Sequence, residues 1–237
     1  MIRSTIILVV IFIISSVYAQ EQEEKYAVSD LKPFLEKFRY VMRTGSESLK
    51  VPVLDPHDVQ ESNYKFDLSF LKADFGVKNL HLTGLSDYQV QEGKLHVAGF
   101  NIVLGFHWDQ LVVNTEYDIN GLVNNKIPIY GKGNFSSILG GVDFSANIRL
   151  GFKNNKSYIA SIRSTVVLES LNVKATGIFN DEKRSEEISR KITNMGPEFI
   201  RKHPNEAGEL LSEIAERKLN LVIGNKTLKE LLELLNI

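Results

Sequence analysis

Histidines and carboxylates that lie close together are the first candidates for acid–base chemistry or metal binding. The chain has five histidines, at positions 57, 81, 96, 107 and 203, and no cysteine. No two of them are four residues apart, as on one helix face, or two apart, as on one strand face. Only His107-Trp108-Asp109 and Asp55-Pro56-His57-Asp58 place a histidine beside a carboxylate. We interpret both as ordinary turn or strand-end chemistry, and predict neither a catalytic nor a metal site.

Two other catalytic motifs are missing from the sequence. No Gly-x-Ser-x-Gly segment is present to hold a nucleophilic serine on a sharp turn between a strand and a helix. Gly131-Lys132-Gly133 lacks the spacing of a loop that binds phosphate. The sequence therefore predicts a protein that is not an enzyme and needs no cofactor. A hydrolase of an apolar ligand, using His107 and Asp109, is kept as an alternative.

The spacing of apolar side chains divides the chain into helical and extended parts. Residues 29–44 predict a helix, and the prolines in residues 51–56 predict an extended segment after it. From about residue 63 to 177 every second residue of the extended runs is apolar, which predicts an antiparallel sheet of long, curling strands. The alternating sets are Tyr64, Phe66, Leu68 and Phe70; Phe100, Ile102, Leu104, Phe106 and Trp108; Leu111, Val113, Thr115, Tyr117 and Ile119; and Val142, Phe144, Ala146, Ile148, Leu150 and Phe152.

Short connections are predicted between these strands. Pairs of turn-forming residues suggest a meander of hairpins and argue against parallel strands joined by helices. They are Gln91-Glu92-Gly93-Lys94, Asn120-Gly121, Asn124-Asn125, Gly140-Gly141 and Asn154-Asn155.

Helical spacing returns near the C-terminus. One apolar stripe consists of Ile188, Ile192, Met195, Phe199 and Ile200. A second helix is predicted beyond Pro204, and a leucine-rich last helix over residues 227–237.

The first residues predict a secretory signal peptide. Arg3 precedes an apolar run over residues 6–14, followed by the small-residue pattern Val17-Tyr18-Ala19. A membrane anchor is the alternative, but a span needs roughly 20 apolar residues and the run is shorter. We predict cleavage after Ala19, with residues 20–237 forming a single extracellular domain and no integral membrane segment.

Composition excludes other classes of protein. Removal of Arg3 moves the formal charge from −1 to −2, and lysines and arginines are scattered among acids, so nucleic acid is not a predicted partner. A secreted chain without cysteine must be stabilised by a buried core. Asn134, Asn155 and Asn225 each begin a glycosylation triplet, and any that carries a glycan must face solvent.

The apolar stripes leave two interpretations open. The sheet and helices either pack into an ordinary core, or long curved strands enclose an interior too wide for their side chains and create an apolar cavity. Composition does not distinguish these alternatives.

Three segments, in order, carry a resemblance to a known family. The first is Val51-Pro52-Val53-Leu54-Asp55-Pro56, and the second runs from Gly76 through Gly84-Leu85-Ser86 to Val90. The third is the order Leu171-Asn172-Val173, Phe179-Asn180, a helix with Asn194 and Pro204, and a leucine-rich end. They resemble the arthropod juvenile hormone-binding protein and takeout family of the tubular lipid-binding superfamily.

The resemblance implies an α+β fold in which a curved antiparallel sheet wraps a long amphipathic helix around an apolar cavity. It implies a carrier of a terpenoid, fatty acid or similar lipid; a structural or interaction protein with the same fold is the alternative. Most takeout-like proteins carry an N-terminal cysteine pair that this chain lacks, and mite group 7 allergens, a related branch, also lack it.

Ten side chains are predicted to line the cavity, and Tyr117 or Trp108 could orient a ligand by one hydrogen bond. They are Phe38, Phe66, Phe70, Phe100, Ile102, Leu104, Phe106, Trp108, Val113 and Tyr117. One missed bulge would reverse which alternating set points inward.

Overall fold

The computed structural model describes residues 28–47, 51–67, 71–96, 101–154 and 156–204, together with 208, 209, 212 and 216. The predicted signal peptide, the last predicted helix, Phe70, Phe100, Asn155 and Asn225 lie outside these residues.

Within the described residues the chain forms seven strands and two helices. They are β1 (Val28–Asp30), α1 (Lys32–Thr44), β2 (His57–Asp67), β3 (Leu71–Thr83), β4 (Gln89–His96), β5 (Asn101–Val123), β6 (Ile127–Lys153), β7 (Lys156–Ala175) and α2 (Glu182–Lys202). All strand pairs are antiparallel and join one sheet. The predicted α+β class, a curved antiparallel sheet with amphipathic helices, is confirmed.

Strand β5 organises the sheet. One of its edges pairs with β6 along the full length of the strand. The other edge is shared, because β4 pairs with residues 101–107 and β3 with residues 112–123. The loop between β3 and β4 lies beside the part of β5 between these two pairings, where the Trp108 indole N–H donates to Leu85 O at 3.1 Å. Gly84 is required there, since its φ is +92° and a Cβ would lie 2.7 Å from Gln110 O.

Three of the predicted turns lie inside strands. Asn120-Gly121 belongs to β5, Gly140-Gly141 to β6 and Gln91-Glu92-Gly93-Lys94 to β4. Asn124-Asn125 does form a turn, and so does Asn154. Gly141 instead has a φ of +60° within a strand, where a Cβ would lie 2.4 Å from the Glu169 carboxyl group. The prediction was wrong there because glycine pairs also mark bends within long strands.

The bend changes which side chains point inward. In β5 the buried residues are Ile102 and Leu104, then Thr115 and Tyr117. In β5, the side chains of even-numbered residues therefore face the interior before the bend, and those of odd-numbered residues face it after the bend. The same change occurs in β6 and β7. Consequently the predicted sets that contain Ile102 and Tyr117 lie on one side of the sheet, although their numbers differ in parity.

Helix α1 covers one end of that inward face. Its buried side chains are Leu35, Phe38 and Met42, spaced three and four residues apart, and Gly45 ends it with a φ of +70°. They belong to a core cluster with Leu31, Val51, Leu54, Tyr88, Ile102, Leu104, Ala146, Ile148, Leu150 and Ile159. We call this part of the molecule the α1 end. The opposite part, where Leu71 of β3 pairs with Val123 beside the β5–β6 turn, is the hairpin end.

Helix α2 packs differently from the sequence prediction. Its buried residues are Ser185 and Ser189, whereas three members of the predicted apolar stripe, Ile192, Met195 and Phe199, are exposed, Met195 by 66%. The helix lies along β7, whose only strand partner in the described sheet is β6. Hydroxyl groups of α2 accept hydrogen bonds from backbone N–H groups of β7 and of the segment after it: Val173 to Thr193, Ala175 to Ser189 and, beyond the strand, Ile178 to Ser185, each at 2.9 Å.

No helix in the described ranges has both the length and the apolar character needed to cross a membrane.

Candidate functional site

Five of the predicted wall residues meet at the α1 end. Phe38, Ile102 and Leu104 are buried in the core cluster, and Phe106 and Trp108 pack against it. The ring centroids of Phe106 and Trp108 are 5.7 Å apart. Phe38 is 2% exposed and Ile102 is 0% exposed, so other protein atoms occupy the space around them. The structure therefore places Phe38, Ile102 and Leu104 inside the core and leaves Phe106 and Trp108 partly buried at its border.

Two other predicted residues, Phe66 and Tyr117, lie at the hairpin end. They are joined by Phe75, whose ring centroid is 5.9 Å from that of Phe66 and 6.4 Å from that of Tyr117. Tyr64 stacks on the other side of Phe66 at 6.5 Å. The four rings form a continuous aromatic row across β2, β3 and β5.

The aromatic row is not fully covered. Tyr117 is buried, but Tyr64, Phe66 and Phe75 are only partly buried. Further inward apolar side chains at this end are also partly buried, among them the predicted wall residue Val113: Leu71, Val113, Ile119, Val123, Ile129 and Phe135. The hairpin end therefore presents an apolar inward face that protein atoms cover incompletely.

Phe75 and Tyr64 were not among the predicted wall residues. Tyr64 belongs to an alternating set that was recognised. Phe75 could have been found from the alternation of Leu71, Ala73 and Val77 around it, which is typical of a strand with one apolar face.

The polar atoms of the two predicted orienting residues already have partners. The Trp108 indole has one N–H, and it donates to Leu85 O, so Trp108 has no donor for a ligand. The Tyr117 hydroxyl donates to Thr176 O at 2.7 Å and retains lone pairs that can accept. Burial, and to a smaller extent the Glu182 carboxylate, raises the pKa of Tyr117. For the predicted orienting hydrogen bond, Trp108 therefore has no free donor, and Tyr117 retains only an acceptor role.

A polar network fixes α1 to the sheet without a disulfide. Asp55 accepts hydrogen bonds from Gly84 N–H at 3.0 Å, from Ser86 N–H at 2.8 Å and from the Ser86 hydroxyl at 2.6 Å. Arg43 of α1 donates to the Ser86 hydroxyl at 2.8 Å. Two of the segments that carried the sequence resemblance thus meet in space, and their contact positions the helix that closes the α1 end.

Tyr88 adds a second tie to the same helix. Its hydroxyl donates to Leu35 O at 2.5 Å, and the Arg39 guanidinium lies 5.0 Å from its ring centroid. Burial raises the pKa of Tyr88, so its hydroxyl keeps the proton that this hydrogen bond needs.

The histidine cluster faces away from the apolar interior. His107 contacts Asp143 at 2.7 Å and Asp109 at 3.3 Å, and all three have odd numbers in the part of the sheet where even numbers point inward. The hydrogen bond to Asp143 is the main reason that the pKa of His107 is raised. Asp58 pairs with His81 at 2.7 Å rather than with its sequence neighbour His57. Among the residues described, no group of three or more histidine, aspartate or glutamate side chains could hold a metal ion.

Asn134, the one predicted glycosylation site within the described residues, is exposed on β6.

Comparisons with known proteins agree with the sequence resemblance. A family model described as haemolymph juvenile hormone binding protein matches residues 7–233. The crystal structure of Epiphyas postvittana Takeout 1 superposes with a TM-score of 0.60 at 19% identity, over 80% of this chain and 86% of that one. A lipopolysaccharide binding protein structure matches at a TM-score of 0.36 and 13% identity, over 84% of this chain and 41% of that one, a likeness too distant to carry an argument. No curated protein sequence matches the chain significantly.

Proposed function

Since the chain belongs to the haemolymph juvenile hormone binding protein family, we propose that it is a secreted, non-enzymatic carrier of a small hydrophobic ligand. The observation that supports this most is the incompletely covered apolar face at the hairpin end. Apolar side chains that are left partly uncovered side by side favour an apolar occupant, because contact with water is unfavourable for both.

The affinity expected from this face is sufficient for a carrier. Burying several hundred Å² of ligand surface contributes several kcal/mol at about 25 cal/mol per Å², before ordering costs are subtracted. Flat aromatic rings such as Phe66 and Phe75 add contact area with little loss of side-chain freedom. Micromolar binding follows without any charged contact.

The chemistry of the face limits the class of ligand. Its side chains are aromatic or aliphatic, with hydroxyl groups only on Tyr64 and Tyr117 among the members of the aromatic row, and the Tyr117 hydroxyl can only accept further hydrogen bonds while it donates to Thr176. A terpenoid, fatty acid or similar lipid, mostly hydrocarbon with one hydroxyl or protonated carboxyl group, satisfies both conditions. A hydrolytic role for His107 and Asp109 is disfavoured, since both side chains lie on the other face of the sheet.

Secretion and glycosylation belong to the same proposal. The apolar run over residues 6–14 supports export, with cleavage after Ala19. The exposed position of Asn134 is compatible with a glycan there.

Displacement of a fluorescent fatty acid tests the proposal. We expect the Phe75→Leu variant to bind the probe about 5–10-fold more weakly, a loss of roughly 1–1.4 kcal/mol, because it removes a ring from the apolar face. Phe106→Leu is the matched control, since Phe106 is also a partly buried inward aromatic residue, but packs against the core cluster at the α1 end. We expect its affinity to stay within about twofold of the parent.

Two results would contradict this proposal, the first in its choice of site and the second in the carrier role itself. One is equal loss of affinity in both variants, which would remove the hairpin end as the site. The other is absence of probe binding by the parent protein, together with a solvent extract of native material that contains no lipid by mass spectrometry. The second result would favour a structural or interaction role for the same fold.

A further inference from the structure

The outer face of the hairpin end contains a groove of about 880 Å³, on the opposite side of the sheet from the apolar face. It is within the range of about 300–1,000 Å³ that is usual for small-molecule sites. Strand register explains its lining. Asn63, Gly76, Asp118 and Lys132 form one row across four strands, and Lys65, Asp74, Asn120 and Tyr130 form a second row two residues away. The row between them, Tyr64, Phe75, Ile119 and Gly131, also borders the groove, while strand alternation directs the side chains of Tyr64, Phe75 and Ile119 to the apolar side.

Gly76 gives the groove its floor. It lies between Asn63 and Asp118 in the first row, where any other residue would project a side chain outward. A Cβ at this position would lie 3.1 Å from Asn63 Oδ1 and 3.7 Å from Asp118 Cβ. The absence of a side chain therefore leaves space between flanking polar groups.

Tyr130 forms a positioned aromatic wall. Its side chain is 43% exposed, and its ring contacts Phe179 edge to face with 5.2 Å between centroids. Phe179 N–H donates to Tyr130 O at 2.7 Å, and the Arg184 guanidinium lies 6.0 Å from the Phe179 ring. The ring is thus held in place while one part of it faces the groove.

The polar groups of the groove are balanced in charge. Lys132 pairs with Asp118 at 2.6 Å, and Lys65 pairs with Asp74 at 3.6 Å. Asn63, Asn120 and Asn180 add amide groups that both donate and accept. A charged ligand would find no excess of opposite charge, whereas a neutral ligand with many hydroxyl groups could pair with donors and acceptors together.

We propose that the outer groove binds a saccharide. The hydroxyl groups of the sugar would form hydrogen bonds with the Asn and Asp side chains, and a C–H face of the sugar ring would pack on the Tyr130 ring. This goes beyond lipid carriage and uses the other face of the sheet. The sugar could be a free oligosaccharide or a glycan attached to the protein itself. Asn134 points outward one row beyond Lys132, close enough for a glycan there to lie over the groove.

Saturation-transfer NMR with a panel of neutral oligosaccharides tests this proposal. The parent and an Asn134→Gln variant are both secreted from eukaryotic cells. Binding of added sugar by both forms indicates a site for free oligosaccharide. Binding by Asn134→Gln alone indicates that the protein's own glycan occupies the groove. Either result supports the proposal, and absence of transfer in both forms at millimolar sugar overturns it.

Variants then locate the site. We expect Tyr130→Ala and Gly76→Val each to weaken sugar binding at least tenfold, the first by removing the wall and the second by filling the floor. Tyr158→Ala is the matched control, because Tyr158 is also 43% exposed but lies outside the groove. Equal weakening in Tyr158→Ala would overturn the assignment. Binding of the fluorescent fatty acid should be unchanged in Tyr130→Ala, which confirms folding and separates this test from that of the carrier role.

Discussion

The two ends of the sheet have inward faces of similar composition but different surroundings. At the α1 end, Leu35, Phe38 and Met42 fill the space above the sheet, and Ile102 beneath them is inaccessible. At the hairpin end, Phe66 and Phe75 are as apolar, yet only partly buried. An alternating apolar pattern therefore identifies which side chains share a face, but not whether that face is a core or a binding surface. The position of the covering helix decides between them.

Truncation of an inward aromatic residue at each end should separate the two environments most strongly. We expect Phe38→Ala to lower the free energy of unfolding by about 3–5 kcal/mol, because it leaves a cavity in a filled core. Phe75→Ala should cost less than half as much, since part of the ring is already exposed. Urea denaturation at neutral pH measures both. Equal losses would show that the hairpin end is as densely packed as the α1 end.

The network that positions α1 should be next in effect. Asp55→Ala removes the acceptor for Gly84 N–H, Ser86 N–H and the Ser86 hydroxyl, and we expect a loss of about 2–3 kcal/mol. Asp58→Ala is the control, because its pair with His81 is exposed and worth at most about 1 kcal/mol. Thermal unfolding compares them. Similar midpoints for both variants would mean that α1 is fixed by apolar contacts alone.

The polar contact between α2 and β7 contrasts with the apolar contact of α1. Ser189→Ala leaves the Ala175 N–H without its acceptor, and we expect a loss of about 1–2 kcal/mol. Ser145→Ala, which removes an exposed hydroxyl bonded to Thr165, should cost less than about 0.5 kcal/mol. Faster hydrogen exchange at the Ala175 amide in Ser189→Ala would locate the effect. Unchanged exchange there would contradict the role of the hydroxyl.

The smallest change in stability is expected from substitution of His107, on the outer face of the sheet at the α1 end. Because the pKa of His107 is raised in the folded state, its contribution to stability is complete below the unfolded pKa of about 6.5 and is lost as pH rises through the folded pKa. The His107→Gln variant should therefore be destabilised relative to the parent more at pH 5.5 than at pH 8.5. Differential scanning calorimetry at the two values measures this. A difference of the opposite sign would show that Asp143 and Asp109 do not stabilise the protonated ring.

The architecture could be predicted from the sequence because periodicity is a local signal. The alternation around Ile102 and around Tyr117 identified both inward sets, and Leu35, Phe38 and Met42 lie within the predicted first helix. The bend at Gly141 was mistaken for a turn, since a glycine pair has the same composition in either setting. The three-dimensional structure shows that β6 continues through Gly141 and that the alternating set of side chains pointing inward changes there.

The candidate site was harder to predict because burial depends on distant elements. Nothing local distinguishes Phe38 in a filled core from Phe66 on an uncovered face. The prediction for the apolar stripe of α2 was wrong for a related reason. Ser185, Ser189 and Thr193 lie on the packed side of the helix because they accept hydrogen bonds from backbone amides of β7 and the segment after it. The helix sequence alone does not indicate that these amides are nearby.

The hydroxyl groups of α2 also bear on how the molecule behaves beside copies of itself. An outermost strand with free amide groups is a template on which a neighbouring chain can add a strand and begin a fibril. At Val173 and Ala175 of β7 those amides already have acceptors on α2 of the same chain. Self-assembly by strand addition is thereby blocked in this stretch.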